Sequence, residues 1–273
     1  MSTPELAQTS STGRKKEEIY ASEAAFFDAI AEGEVEARYG GELKIRPEEH
    51  LATLKLYGLE HDLTGKRVVD CACGTGFFSS LLAMRGAEVW SFDLSPRCVE
   101  VTEERARANG VGERVHASVQ PFEHLDYEPG SYDYIVGKNI LHHIPKIEEA
   151  GEMMFRLLKP GGKALFYDLQ ATNPILMFFR KYIIGKVSFI PKRGTPDEHP
   201  LTADEVEALS KVFEGRVKVT YPKFRFFGKF DRQLFARRYK PITALCDGLD
   251  GFVFKYFPSL RKYSYKIFVE LTR

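Results

Sequence analysis

At 273 residues, 44% apolar and 28% charged, the chain is long enough to bury one large core with appendages, and its composition gives no sign of disorder beyond the ends. Net charge is +1, yet from Ala171 to Arg273 there are 20 Lys and Arg against 10 Asp and Glu, so the last third is basic and the rest acidic. A basic surface of this kind serves nucleic acid, anionic lipid or an acidic small substrate, or is simply a solvated face. Four cysteines are too few for a disulfide framework, and Cys71 and Cys73 lack the second ligand pair a metal site needs, so no metal is expected.

In chain order, residues 1–15 read as a polar, mobile tail. No apolar stretch follows Arg14-Lys15-Lys16, so no signal peptide is expected and the expected compartment is the cytoplasm. Residues 16–64 carry two helices. Glu17 to Ala31 places Ile19, Phe26, Phe27 and Ile30 on one face, and Pro47 to Tyr57 does the same with Leu51 and Leu54, starting on a proline and stopping at Gly58.

Arg67 to Val69 is an apolar strand that ends in a carboxylate, Asp70, and is followed by Cys71-Ala72-Cys73-Gly74-Thr75-Gly76 before helical spacing resumes at Phe77. That is strand, tight turn and helix, with Gly74 and Gly76 leaving room for a ligand to approach the backbone. A dinucleotide fingerprint would add a third glycine, where Ser79 stands, and would place pyrophosphate where Asp70 repels it. The turn therefore suits a ligand that is cationic at one end. Ala87 to Phe92 is a second strand ending in Asp93, placed to accept bonds from two ribose hydroxyls, and Ser95 caps a helix that begins at Pro96 and closes at Gly110. Arg114 to Ala117 and Tyr134 to Val136 supply strands three and four, Ile147 to Leu158 a helix, and Lys163 to Tyr167 strand five.

With Tyr132-Asp133-Tyr134-Ile135-Val136-Gly137-Lys138-Asn139-Ile140-Leu141-His142-His143 and Leu157-Leu158-Lys159-Pro160-Gly161-Gly162-Lys163 added in register, the stretch from Gly65 to about Asp168 resembles the class I S-adenosylmethionine-dependent methyltransferases, of the Rossmann-like, small-molecule type. The resemblance implies an α/β fold: a doubly wound, seven-stranded, mostly parallel sheet with an antiparallel last strand, an N-terminal helical lid, and insertions forming a cap. It implies S-adenosylmethionine as cofactor and S-adenosylhomocysteine as product, with Asp70 near the methionine amino group, Ala72, Gly74, Gly76 and Phe77 under the cofactor, and Asp93 and Leu94 at the ribose. Ala72 stands where many members have glycine. Ser118, Val119 and Gln120 carry no aspartate for the adenine amino group, and Ser118 or Gln120 is left to accept that bond; Asn139 lies at the end of strand four. Tyr20 and Tyr39, on the lid, are implied near the substrate, unless the N-terminal helices merely cover the sheet.

His142 and His143 follow strand four and are the candidate proton acceptors, with packing as the alternative; because adjacent residues diverge, at most one is expected to reach the acceptor. The methyltransferase domain, 65–273, is interrupted at 171–200 and 227–258, with a capping box at Thr202-Ala203-Asp204-Glu205 between them. Phe178, Phe179, Tyr182 and Phe189 in one insertion, and Phe227, Phe230, Phe235 and Tyr239 in the other, are expected to wall a pocket, with Arg180, Arg225, Arg232 and Arg237 available to an anion. The expected partner is a small-molecule acceptor, natural-product-like or lipid-like and largely apolar, either neutral or anionic. Nucleic acid is not expected, since Lys138-Asn139-Ile140-Leu141 is not the Asx-Pro-Pro-aromatic motif that stacks a planar target and no nucleophilic cysteine follows strand four; the run Ile175 to Ile184 is too short and too interrupted by Arg180 and Lys181 to span a bilayer, and packing is its expected use, with lining a pocket or touching a membrane surface as the alternatives. An RNA or protein methyltransferase, or a binder of S-adenosylmethionine that transfers nothing, remains the alternative.

Overall fold

Short apolar runs separated by glycine-containing turns become seven strands: β1 (Arg67–Cys71), β2 (Glu88–Asp93), β3 (Val115–Val119), β4 (Tyr132–Lys138), β5 (Leu158–Leu169), β6 (Val217–Thr220) and β7 (Lys266–Thr272). In the computed structural model, which describes residues 16–39, 43–186, 190 and 199–273, they form one sheet in the order β3-β2-β1-β4-β5-β7-β6. β1 to β5 are parallel, and β7 runs antiparallel to both β5 and β6, as the resemblance implies.

Because side chains alternate across each strand, the sheet feeds two cores. Val69, Cys71 and Ile135 pack with Met154 and Leu157 of α5 (Ile147–Leu157) and Leu209 of α7 (Ala203–Val212). Val68 and Val136 pack with Leu54 and Tyr57 of α2 (Leu51–Tyr57) and Leu81 and Leu82 of α3 (Phe77–Ala83). Burying one such aliphatic side chain contributes about 1.5–3 kcal/mol. The helix boundaries follow local chemistry. Ser95 Oγ accepts the Cys98 N–H at 2.9 Å and opens α4 (Pro96–Ala108), and the Thr202–Glu205 capping box opens α7.

Several boundaries differ from the sequence expectation: Pro47–His50 is a 3-10 turn ahead of α2, and β5 begins at Leu158 instead of Lys163. α1 (Lys16–Tyr39) continues past Ala31, because Glu34, Glu36, Ala37 and Arg38 are strong helix formers that carry the helix through Gly33. The insertions contain regular helices: α6 (Pro174–Tyr182), capped by the Asn173 side chain, then α8 (Phe227–Phe235) and α9 (Lys240–Tyr256), followed by a single-turn segment, Pro258–Tyr263. The expected tail, Phe189 and the Tyr39 side chain lie outside the described residues.

Candidate active site

Parallel strands place their carboxyl ends along one edge, and β7, being antiparallel, brings its first residue to that same edge, where Lys266 faces Leu169. Strand order thus becomes an order of charge: Asp93 at β2, Asp70 at β1, the histidines beyond β4, Asp168 at β5, then Lys266 at β7. A cavity of about 1420 Å3 runs along this edge, walled also by α1 and by α8 and α9. It is larger than the roughly 300–1,000 Å3 that houses one drug-sized ligand, so there is space for two ligands side by side.

At the acidic end the turn after β1 is shaped by backbone conformation. Ala72 (φ 52°), Gly74 (φ 54°) and Gly76 (φ 69°) are all left-handed. A Cβ on Gly74 would meet nothing within 4 Å, and the residue borders the cavity. Gly76 is different. A Cβ there would lie 2.5 Å from Thr102 Cα in α4, so Gly76 serves helix packing and does not border the cavity, contrary to the expectation. Ala72 adopts a conformation that costs an L-residue roughly 1–2 kcal/mol, which is the physical reason for glycine there in the resembling family.

Asp70 is 3% exposed and its Oδ2 accepts Ser79 Oγ at 2.6 Å. Burial, with the nearby Asp93 charge adding, pushes its carboxyl up to about 7 despite the bond from Ser79. Asp93 Oδ2 accepts the Gly74 N–H at 2.9 Å and Oδ1 the Ser95 N–H at 3.0 Å; burial raises its pKa as well. Ala72, Phe77, Leu94, Gln120 and Asn139 border the cavity, whereas Ser118 and Val119 do not. Gln120 Nε2 donates to Ser118 Oγ at 2.8 Å, which ties that hydroxyl beside Tyr127, and Val119 is exposed on the far strand. Glu123 and Phe122 border the cavity in their place, and Tyr20 of α1 donates to Glu123 Oε1 at 2.5 Å. Burial, and then that contact, hold the Tyr20 phenol well above its usual range.

Both histidines border the cavity. They sit in a tight turn, Leu141–His143, where successive side chains diverge by less than in a strand, and their rings lie 4.2 Å apart, so the expected divergence does not occur. His142 Nδ1 is 2.5 Å from Asp168 Oδ1, and His143 Nδ1 is 3.0 Å from Glu23 Oε1 of α1. Each imidazole is thus backed by a carboxylate, which holds Nδ1 as the donor and turns Nε2 into the proton acceptor. Asp168 also accepts the Ile140 and Leu141 N–H groups at 2.9 and 2.8 Å. Sequence reasoning missed Asp168 and Glu23; a carboxylate closing an apolar strand, the signal used for Asp70 and Asp93, was present at Asp168.

At the other end Lys223, Arg225, Lys229 and Arg232 join Lys138 and Lys266 around the cavity. The carboxylates there are committed. Asp247 pairs with Arg237 at 2.6 Å, and Asp250 accepts the Phe226, Phe227 and Gly228 N–H groups. Lys266 Nζ donates to Asn139 Oδ1 and lies 4.6 Å from the Tyr167 ring centroid. Burial holds its pKa down at about 8, with Lys138, Arg225 and Lys229 pulling the same way against Asp168. The aromatics bordering this end are Tyr167, Phe224, Phe254 and Tyr265. Phe178, Phe179, Tyr182, Phe227, Phe230, Phe235 and Tyr239 do not border it: Phe179 packs on Phe230 at 4.7 Å, and Phe178, Tyr182, Phe235 and Tyr239 are exposed. Arg180 is likewise outside, while Arg225, Arg232 and Arg237 are within.

A family model described as a methyltransferase domain matches residues 62–181. A ubiquinone biosynthesis O-methyltransferase of Sodalis glossinidius (strain morsitans) is 32% identical over 204 residues, spanning 71% of this chain and 78% of that protein. The chain belongs to the class I S-adenosylmethionine-dependent methyltransferases. Other relatives of that printed name align over about half of their own length. Among solved structures, geranyl diphosphate C-methyltransferase of Streptomyces coelicolor A3(2), in complex with S-adenosylhomocysteine, superposes with a TM-score of 0.54 at 13% identity over 82% of this chain and 80% of that one. The [4+2]-cyclase SpnF superposes at 0.52 with 18% identity, covering 83% and 79%, so the fold by itself does not dictate methyl transfer. As a class I methyltransferase the protein uses S-adenosylmethionine as methyl donor. The residues present fit that group: Asp70 is a buried carboxylate with no cation among the groups that shift it, and an ammonium placed there would relieve the burial penalty.

Proposed function

We propose that this methyltransferase acts on a small, largely apolar molecule bearing an anionic group. The supporting observation is the polarity of the cavity, acids at one end and cations at the other, with every carboxylate of the basic end already bonded inside the protein. Asp70 would take the cofactor ammonium and Asp93 the ribose hydroxyls. Ala72, Gly74, Phe77 and Leu94 would line the cofactor, with Gln120 toward its base and Asn139 toward its methionine end. Arg225, Lys223 and Arg232 would hold the acceptor's anion while Phe224, Phe254 and Tyr265 cover its apolar body. The name of the Sodalis relative, a ubiquinone biosynthesis enzyme, supports a small-molecule acceptor.

The cofactor, when bound, supplies an electrophilic methyl group on a sulfonium. The protein's part is alignment and proton removal. His142, held by Asp168, presents Nε2 to an acceptor proton, and protonation leaves an imidazolium beside a carboxylate. His143 has the same form of support from Glu23, which ties this turn to α1.

The test is methyl transfer from radiolabelled S-adenosylmethionine to matched pairs of small aromatic or prenyl acceptors that differ in a carboxylate or phosphate. Anionic members should be turned over, and Arg225→Ala should raise their KM roughly tenfold to a hundredfold, the cost of one bond between charged groups, while leaving S-adenosylhomocysteine affinity alone. Equal turnover of the neutral members, with no effect of Arg225→Ala, would discard the anionic acceptor.

Asp70 gives a pH prediction. Its carboxyl is raised to about 7 in the free protein, so below that pH it must lose a proton before it pairs with an ammonium. Affinity for S-adenosylhomocysteine should therefore fall as pH drops below about 7, approaching tenfold per pH unit, and level off above it. Asp70→Asn should bind more weakly and without that slope; calorimetry across the pH range checks both.

A further inference from the structure

The cap carries apolar side chains on its outer surface. Among the side chains of α9 only Asp250 is buried, whereas Leu245 is 63% and Phe252 52% exposed. Ile242, Leu249 and Tyr256 are exposed with them, and the spacing of three and four residues aligns all five in one stripe. Phe257 and Leu260 prolong the stripe, and the rings of Phe252 and Phe257 approach to 5.9 Å. Apolar residues facing outward along a whole helix invert the ordinary pattern and mark an interaction surface.

The charge around the stripe says what it meets. From Phe227 to Tyr263 there are eight Lys and Arg and three acids; with Lys229, Arg232 and Arg237 at the cavity and Arg261 on Phe254, the exposed cations Arg238, Lys240, Lys255 and Lys262 are left to the outer surface of the cap. All three acids are engaged within the cap: Asp231 accepts Thr243 Oγ1 at 2.7 Å, Asp247 pairs with Arg237, and Asp250 caps α8. Lys255 Nζ lies 5.0 Å from the Tyr256 ring centroid, an aromatic and a cation side by side at the edge of the apolar stripe.

We infer that α9 and the turn Pro258–Tyr263 seat this protein on the surface of an anionic lipid bilayer. The stripe enters the boundary between headgroups and acyl chains, and Lys255 and Lys262 lie among the phosphates. A second copy of the chain is the poorer occupant, because it would bring cations against cations. No described helix is long and apolar enough to cross a membrane, which makes this a surface contact. The sequence expectation of no membrane contact considered only the run Ile175 to Ile184, whereas the outward apolar face lies on α9. Phe254 and Gly251, on the inner side of α9, border the cavity, so a seated cap brings the acceptor chamber to the lipid surface. The inference stands apart from the identity of the acceptor.

Co-sedimentation of the full chain with phosphatidylglycerol vesicles, and in parallel with phosphatidylcholine vesicles, tests it. Binding should favour phosphatidylglycerol and weaken with salt. Leu245→Ser combined with Phe252→Ser should lower the partition coefficient roughly tenfold or more, and Lys255→Glu with Lys262→Glu by a comparable factor, at unchanged S-adenosylhomocysteine affinity, which reports an intact fold. Failure to bind phosphatidylglycerol, or equal binding to both lipids, would overturn it. So would a concentration-dependent dimer abolished by Leu245→Ser and Phe252→Ser, since the face would then join two copies.

Discussion

Replacing Asp168 by Ala is expected to lower the thermal midpoint by on the order of 10 °C and to abolish turnover. The side chain is fully buried and accepts the N–H groups of Ile140 at 2.9 Å, Leu141 at 2.8 Å and Leu169 at 2.6 Å, as well as His142 Nδ1 at 2.5 Å. Each buried donor stranded without an acceptor costs about 1–3 kcal/mol, and partial relaxation brings the sum to about 4 kcal/mol. At about 2–4 °C per kcal/mol for a chain of this size, that is the stated shift. Asp168→Asn separates positioning from stability. Its one oxygen can still accept the Ile140 and Leu141 N–H groups, whereas its amide would donate to His142 Nδ1 and move the imidazole proton to Nε2. Its amide also faces the Leu169 N–H that the second oxygen satisfied, so the Asn variant should lose roughly half as much of the thermal midpoint as the Ala variant and roughly a hundredfold or more in kcat. Full turnover in Asp168→Asn would remove His142 as the base.

Asp168 also shows why the site was only partly legible in the sequence. Position along a strand is a local property, so Asp70, Asp93 and the turn between β1 and α3 could be read from apolar runs ending in a carboxylate and small residues. The parallel core followed from the same runs. What Gly76 is for could not be read, because its reason is Thr102, on a different helix. Ser118 and Gln120 were equal candidates by spacing, and only the fold shows that Gln120 borders the cavity while Ser118 lies behind it, bonded to Gln120 and Tyr127. Glu23 reaches His143 across 120 positions of sequence, and no local pattern announces such a pair. The cap misled for a related reason: aromatics at helical spacing specify an apolar face without saying whether it looks inward. In α6 and α8 Phe178, Tyr182 and Phe235 look outward, and the rings at the basic end of the cavity come from Tyr167, Phe224, Phe254 and Tyr265.

The Asp93 carboxylate joins fold and cofactor, so its removal should have a large effect on binding. One oxygen fixes Gly74, at 2.9 Å, in its left-handed turn, and the other holds the Ser95 N–H, at 3.0 Å, at the start of α4. A carboxylate has about four acceptor positions, so two remain for a ribose diol. Asp93→Ala deletes both functions. Losing two bonds to a charged acceptor costs about 3 kcal/mol or more, a fall of roughly a hundredfold or more in S-adenosylhomocysteine affinity by calorimetry. Loosening of the Gly74 turn adds to the loss, and it can be read separately from the unfolding midpoint of the ligand-free variant. Asp93→Asn keeps one neutral acceptor and should lie between, at roughly tenfold, because its amide nitrogen faces a donor that the second oxygen used to satisfy. Wild-type affinity in Asp93→Ala, with the turn intact by its unfolding midpoint, would move the ribose away from β2 and with it the whole orientation of the cofactor in the cavity.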